Sequence, residues 1–72
     1  MLQLSILSGR EIIKALSKLG YCEIRQRSSH IRLSCPCRRS VTVPNYQTVS
    51  HGLLRKILRD AELSKEEFSK LL

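Results

Sequence analysis

Acidic residues, cysteines and long apolar runs are scarce in this chain, and each shortage removes a class of function. Only six of the 72 residues are Asp or Glu, and they form no carboxylate cluster of the kind that holds a catalytic metal. The three cysteines, Cys22, Cys35 and Cys37, are odd in number and too few for a disulfide framework, so they read as reduced thiols. Cys35-Pro36-Cys37 keeps a single residue between its cysteines, whereas zinc pairs and redox pairs keep two or more. Cys22 and His51 add no recognisable ligand spacing, and no cofactor is expected. The apolar opening Met1-Leu2-Gln3-Leu4-Ser5-Ile6-Leu7 falls far short of the roughly 20 residues a membrane span needs. It also lacks the basic start and small-residue cleavage site of a secretory signal. No membrane partner is expected, and the expected compartment is the cytoplasm. Repeats, linkers and low-complexity segments are missing too.

What the chain does have is positive charge. Thirteen Lys and Arg against six acids give a formal charge of +7, a balance that speaks of a polyanionic or acidic partner rather than of a fold. A chain of this length makes one domain, here taken as residues 1–72. Its single core supplies only about 3–5 kcal/mol, which favours an open surface site, or an obligate partner, over a deep cavity.

The periodicities give an α+β reading. Ser8-Gly9-Arg10-Glu11 fits a capping box, followed by Ile12, Ile13, Leu16 and Leu19 at helical spacing, with Gly20 as the stop; the first helix is expected over 9–19. Tyr21 to Arg27 suits a strand with imperfect alternation. Here Cys22, Ile24 and Gln26 share one parity and Tyr21, Glu23, Arg25 and Arg27 the other. His30 to Cys35 alternates cleanly, with Ile31, Leu33 and Cys35 turned one way and His30, Arg32 and Ser34 the other. Pro36 breaks the ladder, and Arg38 to Val43 closes a three-stranded antiparallel meander ending at Pro44. Asn45 to His51 reads as a polar loop with scattered Tyr46 and Val49. Gly52 is expected to open a second helix with an apolar stripe of Leu54, Ile57, Leu58 and Ala61 and a basic flank of Arg55, Lys56 and Arg59. Ser64-Lys65-Glu66-Glu67 is a second capping box, starting a short helix that tucks in Phe68 and Leu71. Two main helices on one face leave the other face of the sheet to solvent.

On that open face the stretch Arg25-Gln26-Arg27-Ser28-Ser29-His30-Ile31-Arg32-Leu33 lifts one histidine among arginines and serines. Imidazole takes and gives protons near neutrality, with an ordinary pKa of about 6.5, and guanidinium groups stabilise charge developing on a phosphate. Together they suit cleavage of RNA. The 2′-hydroxyl loses its proton, its oxygen attacks the adjacent phosphorus, and the 5′ oxygen departs, with no metal demanded. From residue type and place alone, His30 reads more readily as a turn or surface histidine. Arg25, Arg27, Arg32, Arg38 and Arg39 form a candidate phosphate-binding surface that Ser28 and Ser29 extend; strand-edge charge also serves to prevent unwanted pairing. His51 is a candidate phosphate contact at a helix start or a simple loop residue, and Tyr46 stacks on a base or on the core edge.

Gly20-Tyr21, Arg25 to His30, Val41-Thr42-Val43-Pro44 and Gly52 to Ala61, in that order and spacing, resemble the HicA toxin family, also called YcfA-like. The resemblance covers nearly the whole chain. It implies a fold like a double-stranded-RNA-binding domain (dsRBD-like) and an mRNA interferase activity. Its catalytic histidine, in a Gly-Ser-His element, falls on Ser28, Ser29 and His30. It also implies RNA (mRNA) and a HicB-like antitoxin protein as partners. Two positions depart from the family pattern: Ser28 replaces the glycine, and Tyr46 stands where a histidine is common two residues after the proline. Two readings of other classes stay open: a non-catalytic RNA-binding module of the same fold, and a basic protein that docks an acidic partner.

Overall fold

The computed structural model describes residues 6–72, so residues 1–5 of the apolar opening lie outside the described residues. The elements run α1 (Gly9–Ser17), β1 (Cys22–Arg27), β2 (His30–Cys35), β3 (Arg38–Pro44), α2 (His51–Ala61) and α3 (Lys65–Ser69). The strands form one antiparallel sheet in the order β1-β2-β3. This is the expected α-β-β-β-α order with a short terminal helix. Among the described residues no helix is long and apolar enough to cross a membrane.

The first helix begins where the capping box puts it. The Ser8 hydroxyl accepts from the Glu11 amide at 3.1 Å, and the Glu11 carboxylate accepts from the Ser8 amide at 2.9 Å. Its end comes earlier than 19, because the amides of Lys18 and Leu19 donate to Ala15 and Leu16 three residues back and tighten the last turn. Gly20, at φ 109, then swings the chain into β1.

The core is built from the apolar stripes of both main helices and the inner parity of two strands. Ile12 and Leu16 of α1, Ile31 and Leu33 of β2, Val41 and Val43 of β3, and Leu54 of α2 are all fully or nearly fully buried, and Phe68 of α3 closes the layer. Val49, expected as a scattered loop residue, is in this core at 1% exposure. Its amide donates to the Leu7 carbonyl at 2.7 Å, an isolated bridge that ties the loop to the residue just ahead of the α1 cap. Gly9 approaches the end of β3 so closely that a Cβ there would collide with the Pro44 carbonyl oxygen. The Gly9 amide donates to the Tyr46 carbonyl at 2.8 Å.

Two further features differ from the sequence reading. The second helix starts at His51 rather than Gly52, because the Ser50 hydroxyl accepts from the Leu53 amide at 3.2 Å and serves as the cap. The first strand carries a bulge between Glu23 and Arg25, which breaks the simple parity. Ile24 is thrown out at 60% exposure. Cys22, Arg25 and Arg27 instead share the outer face, opposite Ser34, Arg32 and His30. Both main helices pack chiefly against β3, and every residue of β1 is exposed.

Candidate nucleic-acid interface

The β1–β2 ladder ends on the pair Arg27 and His30, with Ser28 and Ser29 as the two turn residues. Ser28 adopts φ 57, the left-handed region that compact hairpin turns use and that favours glycine. A serine there costs about 1–2 kcal/mol in backbone sterics. Hydrogen bonds hold the turn: Gln26 Nε2 donates to the Ser28 carbonyl at 3.1 Å, and the Asn45 amide donates to the Ser29 carbonyl at 2.6 Å. The second bond ties the loop after β3 to the turn that carries the histidine.

Strand pairing then decides which side chains meet. Because directly opposed residues share a face, Arg25, Arg27, His30, Arg32, Thr42 and Pro44 all project from the outer face of the sheet. His30 is exposed there. Arg32 is half-buried, and its Nη1 donates to Thr42 Oγ1 at 3.0 Å, which fixes the guanidinium across the two strands.

Three depressions adjoin along this surface. A hollow of about 190 Å³ is lined by Arg25, Arg27, His30, Arg32 and Thr42. Next to it, a cleft of about 330 Å³ shares His30, Arg32 and Thr42 and has α2 for its other wall, through Leu53, Lys56, Ile57 and Asp60. Lys56 also belongs to an open basic groove along α2 with Arg55, Arg59 and Lys65. His30 therefore stands at the junction between an arginine hollow and a mixed cleft, on a basic track that crosses from the sheet to the helix. Such a track follows a phosphodiester backbone. Among the described residues no three His, Cys, Asp or Glu side chains gather as a metal site would require.

A family model described as the HicA toxin of bacterial toxin-antitoxin matches residues 9–63. The chain belongs to the HicA toxin family. The match begins at the first residue of α1 and ends just past α2, so it takes in the whole sheet and the track described above. Membership makes this a HicA toxin with an RNA-binding role. No curated protein matches the chain.

Within this HicA toxin the expected site residues separate into two groups. Arg25, Arg27, Ser28, Ser29, His30 and Arg32 gather at one end of the sheet. Arg38 and Arg39 lie at the other: Arg38 pairs with Cys35, five residues along β2 from His30, or about 16 Å away at strand spacing. The Arg38 guanidinium donates to the Ala61 carbonyl at 2.9 Å and so caps the C-terminus of α2. The Arg39 carbonyl accepts from the Tyr21 hydroxyl at 2.8 Å, and burial pushes the Tyr21 phenol above its ordinary pKa. His51 is the exposed first residue of α2 and lines none of the three depressions described.

The structure also gives His30 neighbours from outside its own hairpin. Tyr46, exposed at 42%, presents its ring edge-on to the imidazole, with centroids 6.4 Å apart and planes at 69°. The backbone that carries it is fixed by the Gly9 amide, which donates to the Tyr46 carbonyl, and by the Asn45 amide, which donates to the Ser29 carbonyl. Thr42, Leu53, Lys56 and Asp60 complete the cleft. The basic flank of the second helix was visible in the sequence, and it was the signal for Lys56. No local pattern indicated Leu53 or Asp60, since their role depends on which side of α2 borders the outer face.

Proposed function

We propose that this HicA toxin is the toxic half of a type II toxin-antitoxin pair, an mRNA interferase that cuts RNA in the cytoplasm with His30 as general acid and base and no metal in the step. The observation that carries the reading is the exposed His30 imidazole at the junction of the arginine hollow and the α2 cleft. The imidazole takes the proton from a ribose 2′-hydroxyl. The 2′ oxygen then forms a bond to the adjacent phosphorus, the bond from phosphorus to the 5′ oxygen breaks, and the imidazolium returns a proton to that leaving oxygen. The products are a 2′,3′-cyclic phosphate and a 5′-hydroxyl. Arg25, Arg27 and Arg32 hold the non-bridging oxygens as negative charge builds on them, and Ser28 and Ser29 add short donors at the turn. Arg39, exposed at the far end of the sheet, extends the charge toward flanking phosphates, while the Arg38 guanidinium is engaged on the Ala61 carbonyl.

The test is cleavage of single-stranded RNA, in chelator, by protein freed of any partner. His30→Ala should lose at least about a hundredfold in rate, the ordinary scale for a general acid-base group, with an unchanged melting temperature. Cleavage that survives the substitution removes His30 from the role, and cleavage abolished by chelation removes the metal-free route. A second reading, RNA binding without cleavage, draws on the strained Ser28 turn; it predicts salt-dependent binding with no products and equal growth of cells expressing either form. We further propose that a HicB-like antitoxin, acidic where this face is basic, covers His30. Adding it should suppress cleavage stoichiometrically.

A further inference from the structure

We propose that the cleft between β3 and α2 is a base-reading subsite, in which the Asp60 carboxylate accepts hydrogen bonds from the amino-bearing edge of one unstacked RNA base, guanine foremost. The inference rests on the reading that this face takes RNA. What it adds is the residue that decides which base lies beside the cut.

The cleft, at about 330 Å³, is within the range of pockets that enclose a small ligand, roughly 300–1,000 Å³. One part of its wall is apolar, made by Pro44, Leu53 and Ile57. Leu53 is 39% exposed on a helix whose outer side is otherwise basic, and an exposed leucine at a cleft mouth suits the flat face of a base. The polar part is mixed, with Lys56 and Arg32 as cations and Asp60 as the sole acid.

Asp60 is the anomaly. A carboxylate on a track for phosphates repels them, so its place there calls for a donor as its partner. Among the described residues no cation supplies one. Lys56 is one turn before it, in the less favourable order for a helical ion pair, and the only ion pair among the described residues joins Arg10 to Glu23. Asp60 is also a half-buried residue, and partial exclusion of water strengthens a hydrogen bond to a charged group. Single-stranded RNA is read on the edges of splayed bases. Guanine offers a ring N–H and an amino group side by side, a match for two carboxylate oxygens. Cytosine and adenine offer an amino group, the kind of donor that Asp and Glu accept from in base readout. Uracil offers one ring N–H flanked by two carbonyl oxygens, which repel the acid.

The experiment measures binding and cutting separately. In the cleavage-silent His30→Ala protein, affinities are compared for short oligouridylates, plain or carrying a single guanosine, cytidine or adenosine. The guanosine oligomer should bind about five- to tenfold more tightly than plain oligouridylate, the scale of one good base contact. Asp60→Ala should erase that preference while tightening the hold on plain oligouridylate, because a negative charge has left a basic surface. A global loss of structure cannot produce that crossover. Equal affinity for all four oligomers overturns the subsite even if Asp60→Ala does not fold. Absence of binding to any oligomer instead overturns the RNA reading beneath it. Preferences that survive Asp60→Ala, with cleavage in the His30-intact protein reduced equally on every sequence, would make Asp60 a positioning residue for the histidine and refute base reading.

Discussion

The two ends of the three-stranded sheet carry similar residues and use them differently. At the β1–β2 turn, Arg25, Arg27 and Arg32 surround an exposed histidine, and their guanidinium groups border open hollows. At the β2–β3 turn, Pro36 and Cys37, the latter at φ 66, reverse the chain, and Arg38 beside them is spent on the last carbonyl of α2. Both turns require a residue in left-handed backbone and both are flanked by arginine. The difference is what lies within reach: at one end a helix terminus with unsatisfied carbonyls, at the other the Thr42 hydroxyl and an open cleft. Charge counted along a sequence cannot separate an arginine that binds a ligand from one that closes a helix.

That contrast can be broken by substitution. The largest stability effect is expected at Gly9, which holds the His30 end from beneath. Gly9→Ala drives a Cβ into the Pro44 carbonyl and should destabilise by about 3 kcal/mol, near the upper end for overpacking, as read by chemical denaturation. Next come the paired arginines. Arg38→Met should cost about 1–2 kcal/mol of stability by leaving the Ala61 carbonyl without its charged donor, with little change in RNA affinity. Arg27→Met should do the reverse, leaving stability within about 0.5 kcal/mol and reducing the salt dependence of RNA binding by about 0.7 in the log-log slope. If both arginines change the same property, the two ends are not distinct.

Smaller effects sharpen the picture. Ser28→Gly should stabilise by about 0.5–1 kcal/mol, since it relieves the left-handed strain less the extra chain entropy of glycine; calorimetric melting checks it. The smallest concerns α3, remote from both turns. The Ser64 backbone and side-chain hydrogen bonds lower the Glu67 carboxyl below its ordinary 4.5. A lowered carboxyl pKa gives stability that is present above the unfolded value and lost as pH falls through the folded one. Helical signal from the C-terminus should therefore fade on acidification below about pH 4.5, and Glu67→Gln should flatten that fading.

Much of the fold was legible because its signals are local. Both capping boxes form as their residues indicate, at Ser8 and Glu11 and at Ser64 and Glu67, and the period-two pattern from His30 to Cys35 sorts core from surface correctly. The misreadings have tertiary causes. Nothing in Glu23-Ile24-Arg25 announces a bulge, because its position is a property of the β1–β2 register. The α2 start is the exception, a local matter: Ser50 caps the helix through one hydrogen bond to the Leu53 amide, three residues on. Val49 is core only because Leu7, more than 40 positions earlier, pairs with it. At the site, the parity of β2 brought His30 and Arg32 together on paper. The α2 wall needed the docking of a helix against β3, which no window of sequence contains.

One consequence of the bulged first strand concerns the company this molecule keeps with itself. A small sheet with an uncovered border is a template on which identical chains polymerise. Here that border is kinked at Ile24 and studded with Arg25 and Arg27, so a second copy would meet a misfit ladder and like charge together. The crease that spoils the regular strand also defends a strongly cationic protein against growing into fibres.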